Sequence, residues 1–494
     1  MLLTCLPIAA ACATLAAAAF AIVQPVAIDY GEPIVYGQAS RIVSGEPLYQ
    51  PIDRPPYTVA AYTPLYYWLA AQLMTWFGPG FGPGRALSLV AGVATAILVG
   101  YLASDRRADF WVGPLAGLLF LALAFPRPDT PWLGLYRVDS VGVALSVAAI
   151  AVLGRARTTR GDVAAGVMAG LALLCKQTLF AALIAGALWR GRRSVPFVAS
   201  TLLTFGVPCL VLELTTGVFV QNTITANANP FYLVIAARLL KEFVKAQWLP
   251  LLLAGAYLLD RPWVAVESRL LVLYWAVASL SLVLLGNIGA NHNYWIEFAA
   301  VTAVLAARGA ARLLNAARPA LAAAGAVALI VVTAFALGGP QGVVGSASAA
   351  RSDLRNVLTL PPDVDFHALV ERVRREPDGV IAEPMDVVVL AGRPVLFEPF
   401  VYNLMLDQGR WRPDPLVARI CDGEIGLAVL AYSLEVGARM TDGLHSLWPP
   451  AVIASLQDTM SLEGIEASRY VYTRRASIAP GCQAHMLAFA HVST

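Results

Sequence analysis

The chain consists mainly of long apolar runs separated by short polar loops. A helix needs about 20 apolar residues to cross a membrane. We place about eleven such helices, near residues 3–24, 84–103, 109–126, 138–154, 162–175, 178–190, 194–214, 245–260, 268–286, 296–309 and 319–338. The first run could pass for a signal peptide, but it lacks a basic start, so we interpret it as a retained helix. The pattern predicts a mainly α, polytopic transmembrane helical bundle.

Two regions depart from this pattern. Residues 62–77 are apolar on one side and rich in aromatic side chains, which indicates an interfacial or re-entrant helix rather than a span. Residues 339–353 are small and typical of a linker, and residues 354–494 have ordinary charge and short apolar runs. We therefore expect a membrane module over 1–338, a linker over 339–353 and a small α/β domain over 354–494.

Composition and charge support a membrane protein and give its orientation. The chain is 58% hydrophobic and 14% charged, whereas soluble domains carry about 25% charged residues. A net charge of +3 gives no reason to expect a nucleic-acid partner. Arginines fall in alternate short loops, for example at 106–107, 155–160 and 190–193. The positive-inside rule makes those loops cytoplasmic and places 25–83 and everything after 338 outside.

Polar residues that are costly to bury near a bilayer gather on the predicted outer side. They are Asp29, Glu32, Arg137, Asp139, Lys176, Gln177, His292, Asn293 and Glu297. Each also has a structural interpretation. Asp29 could end a helix, and Lys176 could extend its ammonium to the interface. Arg137 and Asp139 could form a structural pair with Arg127 or Asp129 nearby. His292 could be a packing residue, and Tyr62 and Tyr66 could belong to an interfacial aromatic belt.

The sequence contains neither a GxxxxGK[ST] loop nor a GxGxxG element after a strand. An enzyme acting at an outer face, where nucleotides are absent, would need an activated substrate delivered in the membrane. Cys421 and Cys482 lie in the polar tail, where they could form a disulfide outside the cytoplasm or remain as two free thiols.

Several segments resemble the integral-membrane GT-C glycosyltransferases, the superfamily of protein mannosyltransferases and the lipid A aminoarabinose transferase. They are IDYGE (28–32), IVSGEPLY (Ile42–Tyr49), TPLYYWLAA (Thr63–Ala71), GLALLCKQT (Gly170–Thr178) and the tail segment Val387–Trp411. The chain departs from the family pattern in three places. Its acidic residues Asp29 and Glu32 are three apart, and Lys176 is followed by Gln177 instead of glycine. The proline pair Pro55-Pro56 lies upstream of the LYYW element rather than within it.

The resemblance implies a bacterial inner-membrane enzyme with its C-terminal domain outside the cytoplasm. It would transfer a sugar, with inversion, from a polyprenyl-phosphate donor in the membrane lipid to a hydroxyl of a glycan, lipid or protein acceptor. Asp29 and Glu32 would be catalytic, with Asp29 as general base or as the ligand of a Mg²⁺ or Mn²⁺ ion; no cofactor is certain. Lys176 and Arg137 would hold the donor phosphate. The substrate pocket would include Asp139, Gln177, His292, Asn293, Glu297, Tyr62 and Tyr66.

Two other functions remain open at this stage. A transporter or flippase of lipid-linked sugars would show charges in mid-membrane and internal repeats, and neither is clear here. A non-catalytic assembly protein would use the outer domain as a binding module.

Overall fold

The computed structural model describes residues 18–104, 110–123, 132–315, 364–439 and 446–477, with a few isolated positions such as Cys482. The predicted linker 339–353 and most of the first and last predicted membrane helices lie outside these residues.

Helices make up most of the described chain before residue 316. They are α1 (Gly31–Val43), α2 (Leu65–Phe77), α3 (Gly82–Ala103), α4 (Val112–Leu123), α5 (Asp139–Arg155), α6 (Thr159–Cys175), α7 (Ala181–Arg190), α8 (Val195–Thr216), α9 (Leu233–Leu259), α10 (Val266–Ser281) and α11 (Ile296–Leu314). By length and apolar composition, three described helices could cross a membrane: Gly82–Ala103, Val195–Thr216 and Ser268–Gly286. The predicted number of about eleven spans stays a prediction.

Most predicted helix positions agree with the structure, but one helix was missed and another begins earlier than predicted. Helix α1 lies within the predicted outer loop and was missed, because its glycines and Pro33 are typical of turns. Proline is nevertheless tolerated in the first turn of a helix, where its missing N–H costs no hydrogen bond. Helix α9 begins at Leu233 rather than near residue 245, because the charges of its first turns interrupt the apolar pattern.

Glycines let the bundle helices approach closely. A Cβ added at Gly309 of α11 would lie 1.9 Å from the carbonyl oxygen of Leu253 in α9. A Cβ added at Gly166 of α6 would lie 2.3 Å from the carbonyl oxygen of Phe197 in α8. Small residues at such crossings allow backbone contact where no larger side chain fits.

Arginines of the predicted cytoplasmic loops contact one end of the bundle. Arg190 donates to the carbonyl oxygen of Ala156, just after α5, at 2.8 Å. Arg308 donates to the carbonyl oxygens of Leu102 and Ala103, at the end of α3, at 2.8 and 3.2 Å. The opposite ends of α3 and α5 carry the acidic and basic residues described below, so the bundle has two chemically distinct ends.

The C-terminal region is an α/β unit. Its elements are α12 (Val364–Arg375), β1 (Gly379–Glu383), α13 (Asp386–Leu390), α14 (Pro399–Asp407), α15 (Asp414–Cys421), β2 (Ile425–Leu430), α16 (Leu434–Gly437), α17 (Pro450–Thr459), β3 (Met460–Glu466) and β4 (Arg469–Arg474). The strand order is β1-β2-β4-β3, with β1 parallel to β2 and the other pairs antiparallel. Ala467 and Ser468 have positive φ and close a two-residue hairpin, as type I′ turns require.

This C-terminal unit packs on the polar segment that precedes α2. Tyr57 pairs in parallel with Phe397, through hydrogen bonds from Tyr57 N to Leu396 O (2.7 Å) and from Glu398 N to Tyr57 O (3.0 Å). The amide of Ala27 donates to the Asp386 carboxylate at 3.2 Å. A disulfide joins Cys421 at the end of α15 to Cys482. The C-terminal unit therefore contacts both the residues that lead into α1 and the segment that leads into α2.

Candidate functional site

The start of α1 places Asp29 beside Arg137. Arg137 Nη1 lies 3.0 Å from Asp29 Oδ2, and both side chains remain slightly exposed. The amide of Gly31 also donates to Asp29 Oδ2 at 2.9 Å. A Cβ added at Gly31 would lie 1.3 Å from Arg137 Nη1, so only glycine at this position leaves room for the guanidinium. Asp29 thus meets Arg137 because α1 begins with a residue that has no side chain.

A buried ion pair lies next to these two residues. Lys176 Nζ lies 2.6 Å from Asp139 Oδ1, which also accepts a hydrogen bond from Asn293 at 3.0 Å. Arg137 Nε lies 4.0 Å from the other oxygen of Asp139. The Lys176 ammonium also lies 3.9 Å from the ring centroid of Tyr294, a cation–π distance. We call Asp29, Arg137, Asp139, Lys176 and Asn293 the Asp29 cluster.

The cluster joins residues that the sequence singled out in four separate segments. Its two carboxylates and two cations cancel in formal charge, which makes their burial tolerable. Tyr62 belongs at its edge, because Arg137 Nη2 donates to the Tyr62 hydroxyl at 3.2 Å.

Glu32 is held differently from Asp29. It is fully buried and paired with Arg85, whose Nε and Nη2 lie 2.8 and 2.6 Å from its two oxygens. Its carboxylate also accepts hydrogen bonds from the amides of Ile28 (2.8 Å), Asp29 (3.4 Å) and Tyr136 (2.8 Å). A carboxylate occupied by so many donors has no free lone pair for a substrate proton. This geometry favours a structural role for Glu32, and its catalytic role stays a prediction.

Tyr66 and Gln177 lie outside the Asp29 cluster, and their place in a substrate pocket stays a prediction. Tyr66 is fully buried in α2, with its hydroxyl bonded to Gly84 O at 3.2 Å and to Ser88 at 3.1 Å. We assign it to the packing between α2 and α3. Gln177 Nε2 donates to the carbonyl oxygens of Ala61 (2.9 Å) and Thr223 (3.1 Å), so it holds the backbone next to Tyr62.

His292 and Glu297 lie around the cluster rather than within it. His292 Nε2 lies 3.2 Å from Glu242 of α9, and its ring packs edge-on against Trp295. Glu297 in α11 accepts hydrogen bonds from Ser146 (2.5 Å) and Tyr274 (2.9 Å).

Three polar atoms of the cluster lack a hydrogen-bond partner within the described chain. They are Arg137 Nε, Asp139 Oδ2 and Asn293 Oδ1, all buried. Buried polar groups in native proteins are usually satisfied by protein or by ordered water, so unpaired ones gathered at one place indicate a bound ligand or water. The cavity beside Lys176 and Asn293 measures about 20 Å³, which is room for about one water.

The side chains around Asp29 leave little place for the predicted Mg²⁺ or Mn²⁺ ion. Arg137 takes the position that a cation would occupy against Asp29 Oδ2, and Lys176 does the same for Asp139. Among the described residues, no group of three or more His, Cys, Asp or Glu side chains is placed to hold a metal. A divalent ion at Asp29 therefore stays a prediction.

Sequence reasoning missed Arg85 and Glu242. Arg85 had a signal, because it is a lone arginine at the start of an apolar helix, where a charge needs a partner. Glu242 lies among Arg238, Lys241 and Lys245, and nothing in that run distinguishes it from a solvated helix face.

Solved structures share this architecture. ArnT from Cupriavidus metallidurans in the apo state has a TM-score of 0.59 and 14% identity, over 94% of this chain and 96% of ArnT. ArnT bound to undecaprenyl phosphate has a TM-score of 0.58 and 12% identity, over 96% of this chain and 98% of ArnT. Archaeal oligosaccharyltransferase AglB from Archaeoglobus fulgidus, in complex with an inhibitory peptide and a dolichol-phosphate, has a TM-score of 0.53 and 13% identity, over 94% of this chain and 74% of AglB.

No protein-family model and no curated protein matches the chain. The structural neighbours ArnT and AglB both belong to the GT-C superfamily. At identities of 12–14% the likeness establishes the fold. The chain therefore shares the fold of ArnT and AglB, in agreement with the sequence resemblance.

Proposed function

We propose that the protein is a membrane glycosyltransferase that moves a sugar from a polyprenyl-phosphate donor to an acceptor hydroxyl, with inversion. One observation carries the proposal: the start of α1 brings a slightly exposed carboxylate, Asp29, into contact with Arg137, whose Nε has no hydrogen-bond partner within the described residues. A base and an anion-binding cation side by side are what sugar transfer from a phosphate requires.

The fold supports a lipid-linked donor. Solved neighbours were captured with undecaprenyl phosphate and with dolichol-phosphate, and a third, the Archaeoglobus fulgidus oligosaccharyltransferase, was tethered to an acceptor peptide. We propose that this chain also uses a lipid-phosphate donor. We further propose that it lies in a bacterial inner membrane with its C-terminal domain at the outer face.

In the proposed mechanism Asp29 accepts the proton of the acceptor hydroxyl as its oxygen attacks the anomeric carbon. The bond from that carbon to the phosphate oxygen breaks on the opposite face, which inverts the configuration. Arg137 stabilises the negative charge that develops on the departing phosphate. Arg137 must exchange its contact with Asp29 for the phosphate, which frees the carboxylate to act as a base.

Lys176 supports the phosphate-binding Arg137 rather than contacting the donor phosphate itself, as the sequence resemblance implied. Its ammonium is almost completely buried against Asp139, and the adjoining cavity has no room for a phosphate. Lys176 neutralises Asp139, which would otherwise compete with the phosphate for Arg137. We assign Lys176 and Asp139 to positioning Arg137.

The test is transfer of labelled sugar from synthetic polyprenyl-phosphate donors by the purified chain in detergent. Asp29→Asn should lower the rate by about 10²–10⁴-fold, the usual contribution of a positioned base, while Asp53→Asn in the exposed part of the same segment should not change it. A flippase would move the donor across vesicles without consuming it. Full activity of Asp29→Asn, or donor movement without transfer, would refute the proposal.

A further inference from the structure

A second cavity lies on the other side of α1 from the Asp29 cluster. It measures about 300 Å³ and is bounded by α1, the end of α2 and the segment after α13. We call it the α1 cavity. Gly31 of α1 faces Arg137, whereas a Cβ added at Gly37 would touch Val389 and Val395 at 3.5 Å. None of the described residues that line this cavity belongs to the Asp29 cluster, so the helix separates two sites.

The inner wall of the α1 cavity carries buried polar side chains. Gln38, Thr58 and Glu398 are each 3–4% exposed. Gln38 Nε2 and Gln50 Nε2 both donate to the Thr58 hydroxyl at 3.3 Å, which leaves the Thr58 proton free to donate. Among the described residues, the Glu398 carboxyl accepts one hydrogen bond, from Val59 N to Oε2 at 3.3 Å. Buried groups with unused hydrogen-bonding capacity are the orienting groups of binding pockets.

Burial raises the pKa of Glu398 to about 8. Near neutral pH this carboxyl is therefore largely protonated and can donate a hydrogen bond as well as accept one.

The mouth of the α1 cavity is basic. Arg41, Arg374 and Arg393 line it together with one exposed carboxylate, Glu46. Arg41 lies 3.4 Å from Glu46 and Arg374 pairs with Glu371, so among the described residues Arg393 is the mouth arginine without a carboxylate partner. Arg393 donates to the carbonyl oxygens of Val373, Glu376 and Asp378. A guanidinium bound to carbonyl oxygens keeps its full charge, and arginine suits carboxylate and phosphate groups. The mouth therefore favours an anion.

We propose that the α1 cavity binds an anionic sugar unit, with its hydroxyls at Gln38, Thr58 and Glu398 and its carboxylate or phosphate at the arginines of the mouth. The volume is at the lower end for small-molecule sites, which fits one sugar ring with a charged substituent. Apolar side chains such as Ile34 and Met74 line the rest and suit the C–H faces of a ring. We take this sugar to be part of the acceptor, and only that step rests on the proposed function.

Binding is measured on the purified full chain in detergent by saturation-transfer NMR. The probes are glucuronic acid and glucose 1-phosphate, with glucose and inorganic phosphate as controls. The anionic sugars should bind about tenfold more tightly than either control, as expected for one hydrogen bond to a charged group. Whichever anionic sugar binds more tightly identifies the carboxylate or the phosphate as the natural group. Glucose or phosphate binding equally well would overturn the proposal.

Two variants localise the binding. Arg374→Gln removes a charge from the mouth and should weaken binding about tenfold, while Arg375→Gln removes the same charge from the adjacent exposed position and should not. Ser44→Trp places a large side chain at the exposed rim and should block the cavity. Binding that survives both Arg374→Gln and Ser44→Trp would place the sugar elsewhere and refute the inference.

The transfer assay separates this inference from the proposed function. If the acceptor uses the α1 cavity, Ser44→Trp should raise KM for the acceptor and leave kcat unchanged, because Ser44 is remote from Asp29. An unchanged KM would exclude the acceptor from the cavity. If the unsubstituted chain transfers no sugar at all, the proposed function fails, and the probe measurements still decide whether the cavity binds anionic sugars.

Discussion

Glu32 and Asp29 are three residues apart and should respond to substitution in opposite ways. The Glu32 carboxylate has no exposed surface and accepts five hydrogen bonds, two from Arg85 and three from backbone amides. Glu32→Gln keeps the volume but turns an NH₂ group toward these donors and leaves the guanidinium without a counter-charge. Breaking a buried ion pair costs about 3–5 kcal/mol.

The assay is thermal unfolding in detergent, followed by intrinsic fluorescence, together with sugar transfer per folded molecule. Glu32→Gln should lower Tm by several degrees. Its transfer rate per folded molecule should fall far less than the roughly 10²–10⁴-fold expected when a general base is lost. Asp29→Asn should show the reverse, because the Asp29 side chain is partly exposed and has one cationic partner.

Arg85 supplies the control for this argument. Arg85→Met alone leaves Glu32 charged and buried, whereas the double substitution Glu32→Gln with Arg85→Met removes both charges. The double variant should lose less stability than the sum of the two single variants, because contacting residues are coupled. If Glu32→Gln kept the original Tm and abolished transfer, Glu32 would belong to the chemistry and our assignment would be wrong.

Two further predictions concern α1 and its cavity. Gly31→Ala should displace the Arg137 guanidinium from Asp29 and lower the rate of sugar transfer without changing membrane insertion. Gly37→Ala, on another face of α1, should have little effect on that rate. Equal rates for the two variants would contradict the steric role of Gly31. The raised pKa of Glu398, about 8, means that the folded state retains a proton that the unfolded state loses. The Glu398 carboxyl should therefore lower the free energy of unfolding by up to about 5 kcal/mol as pH rises from about 4.5 to 8. Over that pH range the Tm of Glu398→Gln should fall less than the Tm of the unsubstituted chain. If the two Tm curves were parallel, the pKa of Glu398 would not be raised.

Burial is the main cause of the raised pKa of Glu398. The hydrogen bond that its carboxylate accepts from the amide of Val59 acts in the opposite direction and lowers that pKa.

Helix positions could be read from the sequence where the apolar runs were unbroken. Helices α3, α5, α6 and α8 lie within a few residues of their predicted positions. Helix α1 could not be found in this way, since its glycines and proline have the composition of a turn and its burial comes from contacts with distant segments. Helix α2 was found within the segment 62–77 because that segment is apolar on one side and rich in aromatic residues. Its place at the membrane interface stays a prediction.

The candidate site was predictable in its membership but not in its roles. Asp29, Arg137, Asp139, Lys176 and Asn293 were singled out because charges and amides are costly near apolar helices, and the structure brings them together. Which carboxylate stays available could not be predicted. That depends on Arg85, a residue 53 positions from Glu32 whose side chain reaches it only in the folded bundle.

The sequence by itself determined that the chain builds apolar helices and a separate C-terminal α/β unit, because backbone groups in an apolar medium must be satisfied within a helix. It also placed the chemically reactive residues in a few polar segments. The tertiary structure alone decided that Asp29 faces Arg137, that Glu32 is locked by Arg85, and that a cavity forms between α1 and residues some 350 positions further along the chain. Periodicity reports local burial, whereas the pairing of charges and the shape of cavities depend on contacts between segments far apart in sequence.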